Sequence, residues 1–399
     1  MTSSSIPILQ LKPRADRRLK KGHLWVYSNE VDTEATPFKT LTPGQQVTVV
    51  GDKNKVLGIA TLNPQGLICA RMVSRQGGVF LDKSLLVHRI KQALGLRERC
   101  FDQPYYRLVY GDSDLLPGLV VDRFGDVLVV QIATAGMEAV KDEIILALEQ
   151  CLRPKGILLR NDHSARSLEN LPLEQQIIGD VPEAVALVEN GAQFLAPIQT
   201  GQKTGWFYDH RPNRELLQRY SKGLRVLDVF SYIGGWGVQA AVAGASEVVC
   251  VDASADAMEW VGENACLNGV EDKVQGVQGK ALDVLKALIA EGEKFDVVVL
   301  DPPAFIKRKK DQKSGESAYY HHNELAMRLL GRDGLLVSAS CSMHLGKDTL
   351  VDLVRAGGRH LERHVQVLHQ GGQGVDHPVH PAIPETDYIK SLFARVYLP

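Results

Sequence analysis

The stretch Val226-Leu-Asp-Val-Phe-Ser-Tyr-Ile-Gly-Gly-Trp-Gly237 decides the fold. An apolar run meets an acidic residue, and three glycines follow before an alanine-rich segment. That order is expected of a parallel strand whose C-terminal end lets a ligand lie close to the backbone. Outward from it, Glu247-Val-Val-Cys-Val-Asp252 reads as a second strand, its last carboxylate 24 residues after Asp228. Phe295-Asp-Val-Val-Val-Leu300 runs into Asp301-Pro-Pro-Ala-Phe305, and Leu335-Leu-Val-Ser-Ala339 runs into Ser340-Cys-Ser342. Four buried-type strands that each deliver a polar group at one edge predict a doubly wound α/β sheet with an active site there. The alternation over Tyr388–Leu398 predicts one more strand, antiparallel and at an edge.

With 399 residues and 44% hydrophobic content the chain is expected to form two or three domains. No run of 18 apolar residues occurs, which excludes a helical membrane span. The N-terminus lacks a signal-type apolar segment, so a cytosolic, cytoplasmic setting is expected. Cys69, Cys100, Cys151, Cys250, Cys266 and Cys341 are scattered singly, a pattern of neither a zinc knuckle nor a disulfide framework. Net charge is -1, yet residues 1–80 carry 11 Lys/Arg against 5 Asp/Glu. Positive charge is therefore local, as a nucleic-acid contact requires.

Before the catalytic sheet the chain reads as two smaller units. Ile6–Leu11, Gln46–Val50, Val56–Asn63 and Leu67–Val73 are short strands separated by Pro43-Gly44, Gly51-Asp52 and Pro64-Gln-Gly66, the spacing of a small barrel. Within it, Arg14-Ala-Asp-Arg-Arg-Leu-Lys-Lys-Gly-His-Leu-Trp25 concentrates Arg14, Arg17, Arg18, Lys20 and Lys21. That cluster suits either a phosphate backbone or a merely solvated face. A helix over about 82–95, strands at Arg107–Tyr110, Leu119–Asp122, Val127–Ile132, Gly156–Arg160 and Ala184–Glu189, and a helix at Met137–Leu148 make a second α+β unit without obvious chemistry.

The glycine stretch lacks the GxGxxG spacing of a dinucleotide fold, and Asp228 stands where a pyrophosphate would be repelled. A carboxylate there suits a sulfonium or ammonium group, which favours S-adenosylmethionine over NAD. Asp252 would take both ribose hydroxyls, and Phe230, Ser231, Gly234 and Gly235 would line the site. Read individually, Asp228 and Asp252 could equally be helix N-caps. Gln202-Lys-Thr-Gly-Trp-Phe-Tyr-Asp-His-Arg211 interleaves Lys203, Asp209 and Arg211 with aromatics and is expected either to close over the cofactor or to stiffen a linker.

In Asp301-Pro-Pro-Ala-Phe305 the prolines hold an extended path and present the carboxylate, with Pro302, to a planar amino-bearing base. Lys307, Arg308, Lys309, Lys310 and Lys313 follow, where an RNA backbone would need cations. Cys341 is the one cysteine at a strand end on the same edge. Pyrimidine C5 is a poor nucleophile; a thiolate adding to C6 makes it enamine-like, and Asp301 on the ring N3 and amine would assist.

On these residues the chain resembles the bacterial three-domain 23S ribosomal RNA 5-methylcytosine methyltransferases. The resemblance is carried by Arg14–Trp25, Gly111–Gly118 with Val121-Asp-Arg-Phe-Gly125 close behind, Lys203-Thr-Gly205 with Asp209 and Arg211, Asp228–Gly237, Asp301–Phe305, Ser340–Ser342, Asp376-His-Pro378 and Pro384–Lys390. It implies an N-terminal PUA-like β-barrel (1–78), a small central α+β domain (79–189) and a C-terminal Rossmann-like class I methyltransferase domain (190–399). It further implies Cys341 as the nucleophile, Asp301 as the grip on cytosine, S-adenosyl-L-methionine held by Asp228 and Asp252, and 23S ribosomal RNA or a partly assembled large-subunit particle as partner. A homodimer is compatible with it.

Two positions depart from the family pattern. The acidic residue usual after the third strand is missing from Val277-Gln-Gly-Lys-Ala281, which leaves Asp283 or backbone atoms to meet the adenine amine. Ala304 stands where many RNA 5-methylcytosine enzymes carry a second cysteine, so the base that removes the C5 proton is not legible. Three readings compete with the leading one: a ribosomal guanine-N methyltransferase, an NAD-dependent oxidoreductase, and a non-catalytic RNA-binding factor.

Overall fold

In the computed structural model residues 6–399 are described, so the first five residues of the expected barrel lie outside the described part. The chain divides into two compact units. The first runs to Val185 and takes in Pro197–Trp206 and Val375–Thr386; the second comprises Ala186–Ala196, Phe207–Gly374 and Asp387–Pro399.

The first unit contains two five-stranded sheets. One orders Ile8–Gln10, Gln46–Val50, Val56–Leu62, Ile68–Ser74 and Trp25–Tyr27, with Leu9, Val47, Val49, Ala60 and Ala70 filling its interior beside Ile383 from the Val375–Thr386 segment. The other orders Glu174–Gly179, Gly156–Asn161, Val127–Ile132, Leu119–Phe124 and Tyr105–Tyr110 and is covered by helices Lys83–Cys100 and Lys141–Leu152. The helix expected from Met137 is broken at Ala139–Val140 into Ala135–Glu138 and Lys141–Leu152. The fully buried Arg97 ties this unit together: its guanidinium makes two 2.7 Å bonds to Asp114 and one of 2.9 Å to the Asp376 carbonyl. A buried charge persists only when its donors are matched in this way.

The strand expected at 184–189 does not join the sheet of the α+β unit: Val185–Glu189 pairs only with Ala192–Ala196, in a separate two-stranded sheet. The second unit is built on a seven-stranded sheet. Its strands are β1 (Arg225–Val229), β2 (Glu247–Asp252), β3 (Val274–Gln278), β4 (Phe295–Leu300), β5 (Leu330–Ser340), β6 (His364–Gly371) and β7 (Lys390–Tyr397). They lie in the order β3-β2-β1-β4-β5-β7-β6. β1 to β5 are parallel, and β7 pairs antiparallel with both β5 and β6. β7 is therefore interior rather than an edge, because the polar strand β6, too hydrophilic to read as a strand, covers it. Helices α1 (Arg211–Gln218), α2 (Gly237–Val242), α3 (Ala255–Leu267), α4 (Ala281–Ala290), α5 (Gln312–Leu329) and α6 (Lys347–His360) connect the strands. Val226, Leu227, Val229, Val298 and Val337 are wholly buried, as expected of central parallel strands covered on both faces. The order reverses between β1 and β4, which opens the crevice where such sheets bind ligands. Among the described residues no helix is long and apolar enough to cross a membrane.

Candidate active site

Asp228 is the penultimate residue of β1 and fully buried. Its Oδ2 accepts the Gly237 N–H at 2.8 Å, so one oxygen caps α2, while Oδ1 is buried without a hydrogen-bond partner. Burial, opposed by the Gly237 bond and reinforced by Asp301 and Asp252, pushes this carboxyl up to about 7. The loop between them needs left-handed backbone at Phe230 (φ 67°), Tyr232 (φ 50°) and Gly234 (φ 85°). At Gly237 a Cβ would collide with Cys250 Sγ and lie 3.2 Å from Asp228 Oδ2, so only glycine lets the helix start this close to the strand. Asp252, at the end of β2, accepts from the Tyr232 N–H and the Ser254 N–H, both at 3.0 Å. Each oxygen retains a second lone pair for a ligand hydroxyl. An orphaned buried oxygen beside a glycine-lined loop fits a cationic ligand with a ribose, the demands of S-adenosylmethionine.

Asp301 follows β4. Its Oδ2 accepts the Trp236 indole N–H at 3.0 Å and its Oδ1 lies 3.3 Å from His210 Nε2. Burial alone would raise this carboxyl, but the His210 charge and the Trp236 donor together outweigh it and hold Asp301 below the ordinary range. Reciprocally, burial disfavours the His210 imidazolium, and the charge of Asp301 more than restores it, so His210 is raised. Asn213 Nδ2 lies 3.1 Å from His210 Nδ1, and the ring packs 5.3 Å from Trp236.

Cys341 follows β5 directly, and its Sγ is 3.9 Å from the Pro302 carbonyl oxygen. The thiol and the Asp301-Pro302 loop are thus brought together. Both neighbours of the cysteine are pinned by one phenol: Tyr319 Oη bonds Ser340 Oγ and Ser342 Oγ, each at 2.8 Å. Ser342 Oγ also accepts the Ile306 N–H at 3.2 Å. Phe305 stacks on His322 at 5.0 Å, with Phe230 and Tyr319 against the same pair. His322 reaches this aromatic floor from the middle of α5.

The remaining expected residues are distributed as follows. Ser231, Gly234 and Gly235 lie in the loop after β1, and Pro302 is buried beside Cys341. Asp209 is buried, its Oδ2 accepting the Tyr388 hydroxyl at 2.6 Å, and Arg211 pairs with Glu189 at 3.3 Å over the Tyr208 ring. Both act as anchors within the second unit, whereas Lys203, exposed at φ 51°, belongs to the first. Asp283 is exposed in the first turn of α4. Lys307, Arg308, Lys309, Lys310 and Lys313 are all exposed. In the first unit, Arg14, Arg17, Lys20 and Lys21 are exposed, with Lys20 on Asp16 at 2.5 Å; Arg18 is half-buried on Glu30 at 2.9 Å. Nearby, a cavity of about 170 Å³ lined by Lys20, His23, Lys55 and Arg75 over Leu57 and Met72 adds two cations, Lys55 and Arg75, from outside the sequence cluster.

Comparison with known proteins places both parts of the chain in families. Residues 9–75 match a family profile described as a PUA-like domain, and residues 164–362 one described as an S-adenosylmethionine-dependent methyltransferase. The ribosomal RNA large subunit methyltransferase I of Erwinia tasmaniensis is 35% identical over 387 residues, covering 96% of this chain and 97% of that protein. Its namesake from Yersinia pestis is 33% identical over the same shares. A protein from Streptococcus mutans described as a SAM-dependent methyltransferase has the same fold, with a TM-score of 0.82 at 21% identity over 98% of this chain and 100% of that one.

Proposed function

The chain belongs to the ribosomal RNA large subunit methyltransferase I family, and on that premise we propose that it forms 5-methylcytosine in 23S ribosomal RNA through a covalent bond between Cys341 and cytosine C6. The observation that carries this reading is the 3.9 Å approach of Cys341 Sγ to the Pro302 carbonyl, which sets a thiol beside the Asp301 loop. A guanine-N methyltransferase has no need of that thiol.

Bound S-adenosylmethionine supplies an electrophilic methyl on a sulfonium sulfur. Asp228 Oδ1, the oxygen without a partner, meets the cationic end of that molecule. Asp252 takes the ribose hydroxyls, Phe230, Ser231, Gly234 and Gly235 line the loop, and Asp283 is the acceptor offered to the adenine amine. Asp209 and Arg211 hold the chain that leads into α1. Asp301, ionised by its His210 and Trp236 contacts, accepts from the cytosine amine and fixes the ring over Cys341. The Cys341 sulfur adds to C6, and the resulting electron-rich C5 attacks the methyl carbon. Loss of the C5 proton then expels the sulfur and restores the aromatic ring.

The target base must leave its stack to reach such a site. In this reading residues 1–78 form an RNA-binding module, 79–189 a connecting one and 190–399 the catalytic one. Arg14, Arg17 and Lys21, exposed on the barrel, contact phosphates, as do Lys307, Arg308, Lys309 and Lys310; Arg18 and Lys20 contribute less because Glu30 and Asp16 already neutralise them. The test is to incubate the protein and Cys341→Ala with labelled S-adenosylmethionine and undermethylated large-subunit RNA and map the label. Label at cytosine C5 that disappears in the variant supports the reading. Label on another base, or activity without Cys341, sinks the cytosine assignment.

A further inference from the structure

Lys390 opens β7 with only 4% of its surface exposed, a rare setting for a lysine. It stands directly opposite Ser340 in the β5–β7 ladder, one residue before Cys341. Its Nζ donates to the Ser342 carbonyl at 2.5 Å and to the Tyr388 carbonyl at 2.9 Å. No carboxylate among the described residues lies within ion-pair distance of it. Asp387, three residues earlier, pairs instead with Lys347 at 3.1 Å. Two carbonyls solvate an ammonium without neutralising it, so an uncompensated positive charge is held beside the Cys341 peptide.

The charged and titratable groups that face Lys390 are Cys341 from the end of β5, Asp387 from its own segment and Lys347 from α6. The Tyr319 phenol faces Cys341 from α5. Burial pushes the Lys390 ammonium down to about 8, while Cys341 and Asp387 oppose that fall. An ammonium that still carries its proton at neutral pH, despite its burial, has a field to exert on its neighbours.

We propose that Lys390 is the positioning residue of the nucleophile: its buried ammonium, fixed on the Ser342 carbonyl, favours the thiolate of Cys341 over the thiol. The inference rests on the reading of Cys341 as nucleophile given above. The thiol proton leaves to solvent, the electron pair left on sulfur is the one that attacks C6, and Lys390 keeps its own proton throughout. A cation beside a cysteine lowers the free-energy cost of the thiolate, and the thiolate is the reactive form.

The experiment is the pH profile of Cys341 alkylation by iodoacetamide in the full chain, read peptide by peptide by mass spectrometry. The exposed Cys100 and Cys266 serve as internal references. In Lys390→Met the midpoint at Cys341 rises by about one pH unit or more, and alkylation at pH 7 slows about tenfold. The two reference cysteines, the melting temperature and S-adenosylmethionine binding move little. A midpoint that stays where it is in the wild type overturns the proposal. If Lys390→Met does not fold, Lys390→Arg, which keeps the charge, must retain the wild-type midpoint; a rise to that of Cys100 and Cys266 overturns it. Because alkylation needs neither RNA nor methyl transfer, its outcome is separable from the loss of the cytosine reading, which shows itself as methylation surviving Cys341→Ala.

Discussion

His210 Nε2 stands 3.3 Å from Asp301 Oδ1, an ion pair at the start of the loop after β4 in which the imidazole is 3% exposed. Burial raises the Asp301 carboxyl, and the charge of His210, joined by the Trp236 donor, lowers it by more. The pair thus favours the ionised form of the Asp301 carboxyl.

His210→Gln is therefore expected to let the Asp301 carboxyl rise, moving the acid limb of the kcat/KM profile upward by about one pH unit. Its stability effect has a defined window. The raised His210 contributes fully below its unfolded value and loses that contribution as pH rises through its folded value. The lowered Asp301 contributes above its unfolded value and loses that contribution as pH falls through its folded one. Urea denaturation should show a loss of about 3 kcal/mol near pH 6 that shrinks at pH 9. A loss independent of pH would deny the pair its charge.

Asp228→Asn separates binding from stability. With its carboxyl raised to about 7, Asp228 favours the folded state most below its unfolded value, and that advantage is gone as pH climbs through 7. Removing the charge should raise the melting temperature of the ligand-free protein at pH 8. The same change should weaken S-adenosylmethionine at least tenfold by calorimetry and abolish the strengthening of its binding between pH 6 and 8 that is expected of the wild type.

Gly237→Ala drives a methyl into Cys250 Sγ, so the loop must move or the protein loses about 1–3 kcal/mol. Denaturant melts and cofactor titration should both register the change. Gly237→Ala with Cys250→Ala should recover part of the stability.

Tyr319→Phe removes the hydroxyl that joins Ser340 Oγ and Ser342 Oγ on either side of Cys341. A stability loss of about 1 kcal/mol is expected, with kcat falling about tenfold and KM for RNA nearly unchanged.

Replacing Lys307, Arg308, Lys309 and Lys310 with alanine should weaken RNA binding across sequences. The salt dependence of the affinity should become shallower by about one unit for each phosphate no longer neutralised. An unchanged slope in filter binding would make that loop a solvated face.

Much of the second unit is legible in the sequence because parallel strands buried on both faces announce themselves as apolar runs. That Asp228, Asp252, Asp301 and Cys341 fall at or next to the ends of those strands follows from that rule alone. The strand Glu174–Gly179 escapes it, since Gln175, Gln176 and Ile177 are exposed at the edge of their sheet and carry no apolar pattern. β5 begins at Leu330, five residues before its apolar run, because Gly331-Arg-Asp-Gly334 reads as a turn while Asp333 bonds Arg395 across the ladder. His210 carries no signal beyond its place in an aromatic segment; its partner lies 91 positions away and only folding joins them. Lys390 is similarly silent, because its meaning comes from a cross-strand register with Ser340 that no local pattern encodes.

Whether Cys341 bonds to the base is decided by covalent trapping on large-subunit RNA in which cytidine is replaced by 5-fluorocytidine, with S-adenosylmethionine present. Fluorine at C5 leaves no proton to lose, so the adduct cannot resolve. A stable protein–RNA complex is expected that survives denaturing electrophoresis, maps to Cys341 and is absent in Cys341→Ala. Methyl transfer to RNA without any such complex would mean that Cys341 is not the nucleophile.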